Sequence, residues 1–430
     1  AVVDSLVLPG REIDRVRILA TARGGHVAVG ELSFNSDRGD ASSDGTLEFD
    51  RADWLRYAAR GTGPVREVWR GATMNLEVRP RSLDVAYWAD PQLPAGHFGY
   101  VTADLDVEGS THRPRARGTV DVRSFPAEPF FLPALAGEIA VDSMGVTLSR
   151  GRLDLGGPEA TVQARLPLRV SLTGPARFLE NEGVRVEILT PEDMDLAGLP
   201  ELWPDLRRTS GEGTLYFVAE GDPRAPELSG RVVIRDGEVQ LRGWSEWLRD
   251  LEVEGQFSDQ SLTLYRIEAR EGAKGRINAV GSVRFDGLLP DDIALDVEAD
   301  RVLISSVPDL KAVGSGNDIR LRLERPTPGA PRVPTVTGSF VVDKAVYTGA
   351  FESDPASAAE LGPNATPPWM ARLRIRMVDQ VRISNAITEL RVAGAVDFVR
   401  DTQGTRIRGE VSIPSGRISI VGTNFRINQG

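Results

Sequence analysis

The 430-residue chain is long enough for a large core or for two to three domains, and 41% hydrophobic residues against 26% charged excludes a disordered chain. A net charge of −11 and a pI of about 5.1 argue against nucleic-acid binding. The absence of cysteine excludes disulfide frameworks and thiolate metal sites; it fits an oxidising compartment such as a bacterial periplasm without requiring one.

The opening stretch, "AVVDSLVLPGREIDRV", has no basic region followed by an apolar one, so it does not read as a signal peptide. It starts inside a strand pattern, and both ends read as cut from something longer. No apolar run approaches the roughly 20 residues that span a bilayer. The richest patch, from Phe130 to Ala136, is short and contains Pro133. Short helices of about two turns are expected at 51–60, 198–208 and 244–252, and loops at 35–45 and 352–369.

Elsewhere the period is two. Leu76 and Val78 show it first, then Val101, Ala103, Leu105 and Val107, then Val146, Leu148, Leu153 and Leu155. From residue 160 to 172 the alternation is strict. Ala160, Val162, Ala164, Leu166, Leu168, Val170 and Leu172 share one face, and polar residues or Pro167 take the other. A 3.6-residue period would smear this pattern around a helix, so the segment is extended and spans roughly 40 Å. Pro167 offers no ladder donor and marks an edge or a bulge. The pattern returns at Val239 and Leu241, Leu262 and Leu264, Leu295 and Val297, Ile319 with Leu321 and Leu323, and Leu373 with Ile375 and Met377. It closes in a last hairpin, with Ile418, Ile420, Phe425 and Ile427 on one face. Asp236-Gly237, Asp286-Gly287 and scattered prolines read as turns. Many short amphipathic strands with tight turns predict a meandering antiparallel sheet.

One unit recurs. "RARGTVDV", "ELSGRVVI", "TVTGSFVV" and "RIRGEVSI" share a residue–glycine–residue–apolar frame around Gly118, Gly230, Gly338 and Gly409. Each follows a strand and a polar turn, so the repeat is a hairpin and the expected assembly is a solenoid-like stack. Too few amphipathic helices exist to cover the oily face, so the sheet must close as a barrel, flatten into a sandwich or fold lengthwise into a trough. Alternation alone does not choose between a sealed core and an open container.

Signals for catalysis are weak. His26, His97 and His112 are far apart without ligand spacing, and read as surface or turn residues. No G-x-S-x-G, P-loop or H-E-x-x-H motif occurs. Asp37, Asp40 and Asp44 lack the ligand order of a calcium loop and read as a solvated hairpin. Glu192, Asp193 and Asp195 suit the start of a short helix. The acidic row of Asp296, Glu298 and Asp300 and the basic row of Arg320 and Arg322 are expected to pair across strands and fix register. Arg372, Arg374 and Arg376 read the same way, with a headgroup role as the alternative. The chain is therefore expected to be non-enzymatic, with no metal or cofactor.

Two stretches carry a family resemblance. "DLAGLPELWPDLRRTSGEGTLYFVAEGDPRAPELSGRVVIRDGEVQL" (195–241) and "VRISNAITELRVAGAVDFVRDTQGTRIRGEVSIPSGRISIVGTNFRINQG" (381–430) resemble the TamB family of bacterial envelope proteins and its AsmA-like relatives. The family's inner-membrane anchor is missing, and its pattern runs on past the last glycine. The resemblance implies an all-β fold: an elongated, curled antiparallel sheet forming a taco-like apolar groove, with a few short helices. It implies an N-terminal groove part over 1–193, a middle module over 194–350, a loop over 351–371 and a C-terminal module over 372–430. The groove would be lined by Val162, Ala164, Leu166, Leu168, Val170, Leu172, Val239, Leu241, Leu262, Leu264, Leu295, Val297, Ile319, Leu321, Leu373, Ile375, Met377, Ile418, Ile420, Phe425 and Ile427. It further implies passage of phospholipids between inner and outer membranes in the periplasm of a diderm bacterium, the full-length protein being anchored in the inner membrane. The alternative it implies is assembly of outer-membrane proteins by β-augmentation with an outer-membrane barrel partner. No nucleic-acid partner is expected.

Overall fold

The computed structural model describes residues 2–8, 11–23, 26–49, 72–84, 87, 99–127, 130–156, 158–172, 176–179, 182–203, 205–242, 246–287, 289–303, 310–325, 332–347, 369–384, 388–402, 404–420 and 423–427. These residues are overwhelmingly strand, as the period-two pattern requires. The chain divides into two compact units, Ala1–Pro204 with Thr214–Ser229, and Asp205–Gly213 with Gly230–Gly430.

The strands through the first unit are β1 (Val2–Leu8), β2 (Arg11–Arg23), β3 (His26–Ser36), β4 (Gly39–Glu48), β5 (Thr73–Arg81), β6 (Leu83–Asp84), β7 (Tyr100–Ser110), β8 (Arg113–Ala127) and β9 (Phe130–Asp142). They continue as β10 (Gly145–Asp154), β11 (Glu159–Leu166), β12 (Leu168–Arg169), β13 (Arg177–Phe178), β14 (Val184–Leu189), β15 (Met194–Asp195) and β16 (Leu206–Gly221), the last shared with the second unit. From β1 to β5, and from β7 to β11, each strand pairs antiparallel with the next in sequence. β5 and the short β6 both pair with β7, β11 with β14, and β14 with residues 216–221 of β16. Small cores form where apolar positions meet across strands: Val29, Leu47 and Met74 in one place, Leu153, Ala160 and Val162 in another.

In the second unit, β17 (Glu227–Leu241, its first three residues belonging to the first unit), β18 (Leu248–Asp259), β19 (Ser261–Glu271), β20 (Gly275–Asp286), β21 (Leu289–Leu303), β22 (Leu310–Glu324) and β23 (Val333–Tyr347) precede β24 (Met370–Ser384), β25 (Thr388–Asp401), β26 (Gly404–Ile420) and β27 (Thr423–Ile427). From β18 to β27 every strand pairs with the next. One pairing departs from the expected meander: β23 and β24 are parallel, with Thr335 opposite Met370 and Tyr347 opposite Ile383. Parallel neighbours need a crossover of a dozen residues or more, and residues 348–369 join these two strands. The expected loop at 352–369 lies almost wholly outside the described residues, as does the expected helix at 51–60.

Other expectations are corrected. The helix expected at 198–208 is a 3₁₀ turn (Leu196–Gly198) and a single turn, α1 (Leu199–Leu202), followed by strand from Leu206. Pro200 suits a first turn, whereas Trp203 precedes Pro204 and takes extended angles (φ −129°, ψ 101°), which ends the helix. Asp195 caps the 3₁₀ turn by accepting from the Ala197 N–H at 2.9 Å. Of the helix expected at 244–252, residues 248–252 are the start of β18, and 244 and 245 lie outside the described residues. The loop expected at 35–45 is a two-residue turn at 37–38 flanked by β3 and β4. Asp286-Gly287 does turn the chain, but Asp236-Gly237 sits inside β17, where Asp236 has φ +48°. The long strand expected over 160–172 breaks at Pro167, which is fully buried. Leu168 and Arg169 then pair with Phe178 and Arg177 in a separate two-stranded sheet.

The four repeat glycines have one conformation. Gly118, Gly230, Gly338 and Gly409 all take φ between 137° and 157°, in mid-strand. At Gly338 a Cβ would lie 2.5 Å from the Asp318 carbonyl oxygen and 2.9 Å from the Ile319 Cα. The glycine thus lets the neighbouring strand approach and bends its own strand, a device that curls a sheet. Beside it, the Asp318 carboxylate accepts from the Ser339 hydroxyl (2.7 Å) and from the Ser339 N–H (2.9 Å). The hydroxyl bond, then the N–H bond, hold the Asp318 carboxyl below its usual range. A depressed carboxyl pKa stabilises above the unfolded value, about 3.9 for Asp, and the effect is lost as pH falls through the folded value. The stability difference between wild type and Asp318→Asn is therefore expected to shrink as pH is lowered through that window. A difference that persists unchanged below it would assign the effect to packing.

Candidate functional site

Register places the apolar residues of successive strands side by side. In the second unit, Leu264, Gly281, Leu295, Leu321 and Val336 form one cross-strand row, and Ile267, Ala279, Val297 and Ile319 the next. Phe340, Ile375, Val396 and Gly409 form a third, and Val342, Met377, Gly394 and Val411 a fourth. The side-chain period of two makes this face continuous from strand to strand.

Burial along the face is uneven. A packed cluster joins Ala299, Val302, Ala312, Phe340, Val342, Ala345, Val381, Leu390 and Val392, with Ile319, Ile375, Met377, Ile418 and Ile427 against it. Elsewhere in the second unit, Val239, Leu241, Leu262, Leu264, Leu295, Val297, Leu321 and Leu373 are only half-buried. On the last strands Ile407 is 64% exposed and Phe425 53%. Ile420 ends β26, and its side chain is outside those described. In the first unit Val162 is buried, Ala164, Leu166, Leu168 and Val170 are half-buried, and Leu172 is 51% exposed. The break at Pro167 takes Leu168 off the row of β11, so the residues from 160 to 172 do not form one ladder.

Sequence reasoning omitted the centre of the packed cluster. Phe340 and Val342 alternate in "GSFVV", a stretch singled out only for its glycine. Val381, Leu390 and Val392 flank the hairpin between β24 and β25. The available signal was the same period of two.

The opposite face is polar. Asp296 faces Arg320 across β21 and β22 with a 3.6 Å ion pair, the one pair the charge rows make; Arg322 faces Ala294, Glu298 faces Asn278 and Asp300 faces Arg276 instead. Arg185 meets Glu220 at 2.8 Å and Arg79 meets Asp44 at 2.7 Å. Exposed pairs of this kind are screened by solvent and add little stability, and their main service is register. Asp44 is thereby committed to Arg79, and Asp40 accepts from Asn35. Among the described residues no group of three or more His, Asp or Glu side chains is placed to hold a metal. His26 lies 3.2 Å from Glu48 and His112 is exposed in a turn, whereas His97 lies outside the described residues.

These features define a class: an all-β protein of glycine-kinked hairpins which, in the second unit, presents a charged face and an apolar face whose described side chains are partly exposed. Residues 265–430, from β19 through β27, match the family model of the TamB C-terminal domain. Over these 166 of the 430 residues the chain is similar to the TamB family of bacterial envelope proteins. Of the two stretches that carried the resemblance, 381–430 falls inside the match and 195–241 outside it. No solved structure matches the chain. No helix among the described residues is long and apolar enough to cross a membrane.

Proposed function

We propose that this chain is a non-enzymatic periplasmic conduit that carries phospholipids between the inner and outer membranes along its apolar face. The supporting observation is the half-burial of that face in the second unit. Leu264, Leu295 and Leu321 stand in one row across consecutive strands and keep part of their surface accessible. A sealed core would consume such residues. Each CH₂ exposed to water costs about 0.8 kcal/mol, so a phospholipid with roughly 30 methylenes faces a barrier of order 20 kcal/mol. A row of similar weak apolar sites removes most of that barrier and leaves the headgroup in solvent. Native mass spectrometry of the purified chain is expected to find bound phospholipid, and a photo-crosslinker at Ile375 is expected to label acyl chains. A chain that stays lipid-free after exposure to vesicles, with no acyl crosslinks, would overturn the conduit.

A second reading, assembly of outer-membrane proteins with a barrel partner, rests on a different observation. Among the described residues β27 pairs only with β26, so its far edge offers backbone groups for β-augmentation. Under this reading, Arg426→Pro abolishes capture of a barrel protein, whereas under the conduit alone lipid occupancy is unchanged.

A further inference from the structure

The chain is acidic overall, but its last strands are not. Residues 370–427 hold ten arginines, no lysine and five carboxylates, in a protein whose total charge is −11. Register puts most of these arginines on the polar face of β24–β27. Arg374, Arg376, Arg382, Arg391, Arg417 and Arg426 are exposed there, and none has an ion pair or hydrogen bond among the described residues. This contrasts with Arg79, Arg185 and Arg320 on earlier strands, each held by a carboxylate.

The placement is costly. Arg382 lies directly opposite Arg391, and Arg417 directly opposite Arg426. Like charges directly opposed across antiparallel strands are destabilising, and the carboxylate nearest in register, Glu389 opposite Arg417, is one against four. Such a surface is relieved by an anionic counterpart.

We propose that the polar face of β24–β27 docks on the phosphate-bearing surface of an anionic lipid bilayer. Three observations select this occupant. Guanidinium forks take phosphate oxygens in bidentate fashion. The six arginines spread over four strands and most of their length, so they suit a broad field of phosphates more than a single buried ion. Between them stand Ser384, Ala395 and Ser415, with the carboxylates of Asp397 opposite Arg374 and Glu410 opposite Ala395, and no aromatic anchor of the kind that dominates protein–protein interfaces. The apolar face plays no part, so this surface does not depend on the conduit reading.

The test is flotation of the full chain with phosphatidylcholine vesicles, with and without a minority of phosphatidylglycerol. Binding is expected only with the anionic lipid and is expected to fall as salt is raised. Each basic residue near such a surface is worth about fivefold in partitioning, so R382Q/R391Q/R417Q/R426Q is expected to lose more than about a hundredfold. The matching quadruple lysine variant keeps the charge and is expected to keep most of the binding. R185Q, which removes an already paired arginine, is expected to change nothing. Equal binding to neutral vesicles, salt-independent binding, or a folded quadruple glutamine variant that binds like wild type would overturn the proposal. So would capture of an acidic protein at these arginines with no vesicle binding.

Discussion

Gly338→Val is expected to lower the unfolding free energy of the chain by about 3–5 kcal/mol, whereas Gly404→Ala costs about 1–2 kcal/mol. Both glycines have positive φ, 138° and 106°. They differ in what stands around them. A side chain at Gly338 meets the β22 backbone at Asp318 and Ile319, while nothing lies within 4 Å of a Cβ at Gly404. Backbone strain acts at both sites, but only at Gly338 must a neighbouring strand also move. That neighbour carries Asp318, whose bonds to Ser339 hold the two strands together. Urea unfolding followed by far-UV circular dichroism measures both losses. Equal losses would mean that close approach of strands at Gly338 adds nothing.

Leu321→Asp is expected to slow lipid transfer between vesicles by at least about tenfold, because an ionised carboxylate in an apolar path restores part of the desolvation barrier. Arg322→Gln, one residue away, is expected to leave transfer unchanged. Leu321 faces Leu295 and Val336 and is half-buried; Arg322 faces the opposite side and is exposed. Because Leu321 is not fully enclosed, the aspartate retains access to solvent and the fold is expected to survive, which circular dichroism checks. If the two variants transfer lipid alike, the apolar face is not the path.

Strand identity and facing were legible in the sequence wherever pairing is regular. Leu373, Ile375 and Met377 alternate without interruption, and their register with β25 is unbroken over that stretch. The repeat glycines were visible as a frame around Gly118, Gly230, Gly338 and Gly409, although their role as mid-strand bends requires the φ angles. What misled was the bulge. In β18 the register shifts between Arg249 and Glu252, and Asp250 takes φ +49°. The inserted residue sets Leu248 and Leu251 three apart, which imitates the spacing of a helix. Asp236-Gly237 misled in the same way, as a turn-like dipeptide inside a strand. The parallel pair was illegible for a different reason: strand direction leaves no mark on side-chain alternation, and residues 348–369 carry no apolar periodicity to announce a crossover. At the candidate site, the half-buried rows came from period alone, whereas the packed cluster around Phe340 depends on several strands at once.

The parallel step between β23 and β24 also sets a rule for how such a chain can grow or shrink over evolutionary time. Where each strand bonds mainly to its sequence neighbours, a hairpin is a transferable cassette: two strands gained or lost leave every later strand pointing as before. A single strand gained or lost would reverse the polarity of everything downstream. The crossover absorbs that reversal, so an odd insertion on one side of residues 348–369 is accommodated by changing one long connection instead of rewriting the hairpins beyond it.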